Sequence, residues 1–151
     1  MSKIKTFRGQ IDGDDAGGSD KITLHTIDGS TGYQIKKIQI IQQSPGASNC
    51  EGLVVVWNVK PTTTQIATKT INLSDDSILA VAFYSASSSA QIYPEDMTII
   101  IDNKIFNQDI YLSYIDVSTT NDNMNYYVEL EQVKLDSTEN AVATLTHIKN
   151  R

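Results

Sequence analysis

Cysteine is nearly absent from this chain of 151 residues: Cys50 stands alone. An intrachain disulfide is therefore excluded, and a thiolate metal site has no partners. Histidine is almost as scarce. His25 and His147 each lack a second His or Cys at ligand spacing, which argues against a zinc-type centre. Long apolar runs are missing as well. No stretch approaches the ~18 residues of a membrane helix. The opening MSKIKTFRGQ holds no apolar segment of the kind a secretory signal needs. The expectation is a protein made and kept in a cytosol, or in something assembled there, so the Asn72-Leu73-Ser74 sequon carries no weight. Excess positive charge is also lacking. A formal net charge of −6 and a pI near 4.7 are the opposite of the basic surface that phosphate backbones require, which weighs against a nucleic-acid partner.

Catalytic signatures are missing in the same way. GDDAGG at 13–18 has neither the lysine nor the following helix of a phosphate loop. No nucleophile-elbow motif surrounds any serine. Glu129 and Glu131 lie two apart on one strand face, as paired carboxylates do, but a solvated strand face has the same pattern. Asp12 and Asp14 occupy the first and third positions of an EF-hand-like loop with Gly17 at the sixth. Ala16 at the fifth and Thr23 at the twelfth then stand where oxygen ligands are required, so the 12–20 segment reads as an acidic loop. No catalytic, cofactor-binding or metal-binding residue is assigned on these grounds, and no cofactor is expected.

What is present is period-two alternation, repeated along the chain. Lys3–Gln10 reads as a first strand, and its Lys3, Lys5 and Arg8 make the start basic before the acidic loop. Lys21–Ile27 places Ile22 and Leu24 inward, and Asp28-Gly29 is a strong hairpin signal. Tyr33–Gln42 changes phase around Lys36–Lys37, which predicts a bulge. Leu53–Val59 and Ile78–Tyr84 are apolar on consecutive positions, as strands buried on both faces are, with Trp57 a core anchor. Ile66–Leu73 reads as a further strand. Ser85–Asp96 is the longest irregular piece and a contact loop, with Ile92 and Tyr93 to anchor it on a neighbour. Met97–Ile101 and Lys104–Phe106 follow as a strand and a short return.

Gln108–Leu135 is the best-patterned stretch. It reads as an antiparallel pair, QDIYLSYIDV and YYVELEQVKL, joined by the polar loop Ser118–Asn125. The apolar phase slips after Glu131, which predicts a bulge near Glu131–Gln132. Beyond Leu135 the period lengthens. Asp136 and Glu139 fit a capping box, and Ala141, Val142, Leu145 and Ile148 share one helical face, so a helix of about three turns is expected over 137–149. About eight to ten strands with turns between them define one all-β domain over 1–151. The expected architecture is a two-sheet antiparallel β-sandwich, jelly-roll or Ig-like, with one short C-terminal helix.

Two stretches carry a resemblance. LAVAFYS at Leu79–Ser85, and IIIDNKIFNQDIYLSYID at Ile99–Asp116 continuing to NYYVELEQVKLDSTENAVATLTHIKN at Asn125–Asn150, resemble small, mostly uncharacterised proteins of marine tailed bacteriophages. That family is generally regarded as virion structural components. FRG at Phe7–Gly9 and TGYQIKKIQI at Thr31–Ile40 fit in style. The resemblance implies a β-sandwich virion protein and supplies no site residues. The expectation is a non-enzymatic capsid decoration or cement protein, a homo-oligomer bound to the major capsid protein or other virion proteins. It would be assembled in the host cytoplasm, without nucleic-acid or membrane partners. A tail or neck position is the alternative within the virion. A carbohydrate-binding sandwich, with Tyr93, Tyr111, Tyr126 or Tyr127 stacking on sugar, is the alternative from another class.

Overall fold

A computed structural model of the chain describes residues 3–24, 31–45, 49–86, 95–101, 104–118 and 120–135. These form eight strands and one short helix: β1 (Lys3–Ile11), β2 (Gly18–Ile22), β3 (Thr31–Gln42), β4 (Cys50–Trp57), α1 (Thr63–Ala67), β5 (Ile78–Ala86), β6 (Glu95–Ile100), β7 (Ile110–Asp116) and β8 (Met124–Lys134). The strands make two antiparallel sheets, ordered β1-β8-β3 and β2-β7-β4-β5-β6. The expected two-sheet sandwich is therefore what the chain forms. Its pairing is nested: β1 with β8, β2 with β7 and β4 with β5. β6 ladders onto β5 and packs beside β3. First-with-last nesting of eight strands in two sheets is the winding of a jelly roll, not of an Ig domain.

The core lies between the sheets. Ile35, Ile38 and Ile40 of β3 and Met124, Tyr126, Val128 and Leu130 of β8 face Val54 and Val56 of β4 and Ile110, Leu112 and Tyr114 of β7. The phase change in β3 is the expected bulge, since the register with β8 shifts between Ile35 and Lys37. One extra residue there lets Ile35 and Ile38, three apart, both point inward. A second apolar cluster covers the outer side of the five-stranded sheet. Leu53, Val55, Trp57, Ile78, Val81 and Ile115 meet there, with Ala67 of α1 packed on them. Trp57 is 4% exposed and its Nε1 donates to Ser113 Oγ at 2.8 Å, so the indole is anchored at both its apolar and polar ends.

Four expectations are corrected. The two strands of Gln108–Leu135 do not pair: β7 belongs to the five-stranded sheet and β8 to the three-stranded one, so the loop between them crosses the sandwich. Alternation fixes a strand's faces but not its neighbour, and burial explains the separation. β7 is buried on both faces from Leu112 to Asp116, while β8 alternates buried and half-exposed. The bulge near Glu131–Gln132 is absent. β8 keeps its register through both residues with β1 and β3; Gln132 faces Tyr33, and the slip is absorbed where the strand ends, with Leu135 buried beside Gly32.

Ile66–Leu73 is not a strand. Thr62 caps α1 through a capping box, its Oγ1 accepting from Gln65 N at 3.1 Å while Gln65 Oε1 accepts from Thr62 N at 2.8 Å. The strand expected over Lys21–Ile27 starts earlier, at Gly18, and its ladder stops at Ile22, although Leu24 remains buried. β2 and β3 lie in different sheets, and the Asp28-Gly29 turn between them lies outside the described residues. The C-terminal helix expected over 137–149, its cap at Asp136, and the Ile92–Tyr93 contact loop also lie outside them. The short helix that is described is α1.

Candidate functional site on the three-stranded sheet

The strict alternation of β8 builds an open face. Asn125, Tyr127, Glu129 and Glu131 point away from the core, and their neighbours follow from register. Arg8, Tyr127 and Gln39 form one row across β1, β8 and β3. Gln10, Asn125 and Ile41 form the next. These two rows line a trough of ≈ 740 Å³.

Beneath it, Gly9 has no side chain because the Tyr126 ring occupies that space: a Cβ would sit 2.6 Å from the Tyr126 hydroxyl. Tyr126 leans across the glycine to donate to Asp20 of β2, joining the two sheets at the β1 edge. Burial, then that carboxylate, pushes the Tyr126 phenol upward in pKa.

The trough is partly organised. Gln10 Nε2 donates to Asn125 Oδ1 at 3.0 Å, and Asn123 Nδ2 donates to Gln10 Oε1 at 3.3 Å, so these amides hold one another in orientation. The Tyr127 hydroxyl donates to Glu129 Oε2 at 2.8 Å, two residues along the same face, which lays the ring along the strand. The Glu129 carboxylate raises the Tyr127 phenol. Among the described residues Arg8 is the one charge lining the trough, and the Glu129 carboxylate stands beside it on the Tyr127 hydroxyl. Ile41 is about half exposed and supplies an apolar wall. The chemistry is that of a binding surface, with an aromatic ring, three amides and one cation.

Other candidate residues fall elsewhere. Glu129 takes the Tyr127 phenol, and Glu131 meets Lys36 Nζ at 3.6 Å, as residues of a solvated face do. Cys50 is fully buried with its Sγ 3.6 Å from the Tyr114 hydroxyl. Desolvation pushes the thiol up to about 12 and raises the Tyr114 phenol, leaving both protonated at neutral pH. Tyr111 is half-buried against the Trp57 cluster, and Tyr126 is buried, so neither offers a ring to a ligand. Tyr93, His25 and His147 lie outside the described residues.

The acidic loop spreads its carboxylates over separate partners. Asp14 Oδ1 accepts from Ala16 N at 2.9 Å, Asp15 Oδ1 from Asn121 Nδ2 at 2.6 Å, and Asp20 binds Tyr126. Gly17, at φ 81, closes its turn with a bond from its N–H to Asp14 O. Among the described residues no group of three or more His, Cys, Asp or Glu side chains is placed to hold a metal.

The polar loop Ser118–Asn125 uses its polar groups to fasten itself. Buried Asp116 accepts from the N–H groups of Glu51, Ser118 and Asn121 at 3.1, 2.9 and 3.0 Å and from Ser118 Oγ at 2.6 Å. Asp122 accepts from Gln42 Nε2 and Ser44 N, both at 3.0 Å, while its main-chain oxygen takes the Tyr114 phenol at 2.5 Å. Asn123 Oδ1 takes Gly13 N at 2.7 Å. Asn121 turns the chain at φ 63, a left-handed conformation that Asn tolerates.

Of the three described tyrosines named from sequence, Tyr127 alone stands in the trough with an accessible side chain. Arg8, Gln10, Gln39, Ile41 and Asn125 were missed, because each is an ordinary polar or apolar residue until the β1-β8-β3 register sets them side by side. The alternation of β8, which put Tyr127 opposite its buried neighbours, was the signal that pointed at this face.

No known family model matches the chain, and no curated protein is detectably similar to it. No helix among the described residues is long and apolar enough to cross a membrane.

Proposed function

We propose that the chain is a structural protein of a bacteriophage virion, a capsid decoration or cement protein that acts without catalysis. The observation that carries this reading is the apolar outer side of edge strand β6. Met97 is 65% exposed and Ile99 39% exposed, next to each other on one face and paired across to Phe83 and Val81 of β5. Among the described residues β6 is hydrogen-bonded on one side only, at the rim of the five-stranded sheet. Exposed apolar residues on an unpaired edge are an aggregation liability in an isolated protein and a contact surface in an assembled one. A homo-oligomer or a bound major capsid protein covers that surface, and the virion is where the chain resides. The resemblance over Leu79–Ser85 and from Ile99 through to Asn150 supports the same reading; among the described residues it falls on β5, the end of β6, β7 and β8.

The test is quantitative mass spectrometry and side-chain-resolution imaging of purified particles. Hundreds of copies on the shell, contacting neighbours through Met97 and Ile99, is the expected result. A ring of about six or twelve copies moves the chain to the tail or neck, following the symmetry of those parts. Absence from the particle ends the reading, and unchanged particle strength after its removal ends the cement role.

A further inference from the structure

We infer that the trough on the outer face of β1-β8-β3 binds a saccharide carrying a carboxylate, with Tyr127 under the sugar ring and Arg8 on the carboxylate. The inference is independent of the virion reading.

The geometry argues first against a peptide. Extended peptides are captured at sheet edges, where unpaired main-chain groups add a strand. β8, the floor of the trough, is the central strand and is laddered on both sides, so it offers no free backbone. Recognition here rests on side chains alone. Those present suit a sugar. A Tyr ring laid along the strand by its bond to Glu129 presents an apolar surface at low conformational cost. Gln39, Gln10 and Asn125 are amides, each with a donor and an acceptor, at spacings set by register to meet hydroxyl groups. Gln10 and Asn125 are held by their mutual bond before any ligand arrives, which lowers the ordering cost of binding. The volume, ≈ 740 Å³, falls in the range of sites for small molecules.

Charge selects among sugars. The chain carries a net −6, yet among the described residues this lining holds Arg8 and no Asp or Glu, the neighbouring Glu129 carboxylate being taken up by the Tyr127 hydroxyl. Arg8 makes no ion pair among the described residues. A planar, permanently charged guanidinium matches a carboxylate bidentately, and the acidic remainder of the surface repels such a ligand from other places. An acidic sugar is therefore favoured over a neutral one of the same shape.

The test measures binding of the full chain to an array of acidic and neutral glycans. It is followed by titration with oligogalacturonate and its carboxyl-reduced counterpart, using wild type, Tyr127→Ala, Tyr127→Phe and Arg8→Gln. Acidic glycans should bind. Tyr127→Ala should weaken oligogalacturonate or the best array ligand at least about tenfold, while Tyr127→Phe, which keeps the ring, retains binding. Arg8→Gln should erase the preference for the acidic over the reduced form. These substitutions lie on an exposed face, and circular dichroism checks that each variant folds. Silence across the array at millimolar glycan overturns the inference. So does binding indifferent to Tyr127→Ala and Arg8→Gln, or a dimer in solution that buries Tyr127.

Discussion

The two sheets share one core but treat their outer faces in opposite ways. β8 alternates through Glu131, and β3 resumes alternation after its bulge, so the three-stranded sheet turns Arg8, Tyr127, Gln39, Asn125 and Lys37 to solvent. β4 is buried at every position from Gly52 to Trp57, and the outer side of the five-stranded sheet carries its own apolar cluster beneath α1. A strand with one wet face tolerates variation on that face and can bind there. A strand with two dry faces is committed to packing on both. In this sandwich the binding candidate and the assembly candidate accordingly fall on different sheets, the trough on one and the Met97–Ile99 edge on the other.

The same substitution on each outer face tests this contrast most directly. Val55→Lys in β4 should cost about 3 kcal/mol or more, because it buries an unpaired charge among Trp57 and Val81. Gln39→Lys in β3 should stay within about 0.5 kcal/mol. Urea denaturation of both variants gives the comparison, and equal losses would show that the outer faces are alike.

The crossing loop that joins the sheets comes next. Asp116→Ala removes the acceptor for three backbone N–H groups and a hydroxyl, and should cost on the order of 3 kcal/mol. Asp116→Asn, which keeps acceptor capacity on one oxygen, should cost less. Melting temperatures of the pair separate loss of hydrogen bonds from loss of charge.

Alkaline pH probes the interior that the sheets share. Cys50, Tyr114 and Tyr126 all hold their protons more tightly folded than unfolded. Their contribution to stability is full below the unfolded values, 9.0 for the thiol and 10.0 for the phenols. It is lost as pH rises above them toward the folded values, about 12 for Cys50. The melting temperature should be insensitive to these groups from pH 7 to 9 and fall beyond, and Cys50 should react with iodoacetamide only on unfolding. Rapid alkylation of the native protein at pH 8 would contradict the burial of the thiol.

The smallest effect on stability is expected at β6. Met97→Lys should alter folding by no more than about 0.5 kcal/mol, since the side chain is exposed. It should nevertheless abolish oligomers seen by analytical ultracentrifugation, or incorporation into particles. Unchanged assembly would remove β6 as the contact surface.

Much of the fold was legible because single-strand patterns are local. The bulge in β3 could be read from Ile35 and Ile38 alone, and Trp57 declared itself by its apolar neighbours. Pairing was not legible in the same way. β7 and β8 are adjacent in sequence and both alternate, and only their second faces tell them apart: Tyr111 and Ile115 on one, Asn125, Glu129 and Glu131 on the other. The eight-residue span from Ser118 to Asn125 was a further warning, being longer than the ~2–5 residues usual in a hairpin. α1 had its own signature in Thr62 and Gln65, which the β-branched run around it obscured. The trough was half legible, through Tyr127, because a site assembled from three strands 30 to 120 residues apart exists only once the register is known.

The nesting of first strand with last also governs how the chain reaches this state. β4 and β5 are joined by a connection that spans about twenty residues and carries α1, so they can meet early. The three-stranded sheet has no centre until β8 has been synthesised, because β1 and β3 are each laddered to it and not to one another. During translation β1 therefore waits, basic and unpaired, for most of the chain to follow. Contacts of such long sequence separation place the protein among slow-folding β topologies. The Asp116–Asp122 loop becomes the latch whose closure ends the process, and a truncation before Met124 would leave β1 and β3 as strands without a sheet.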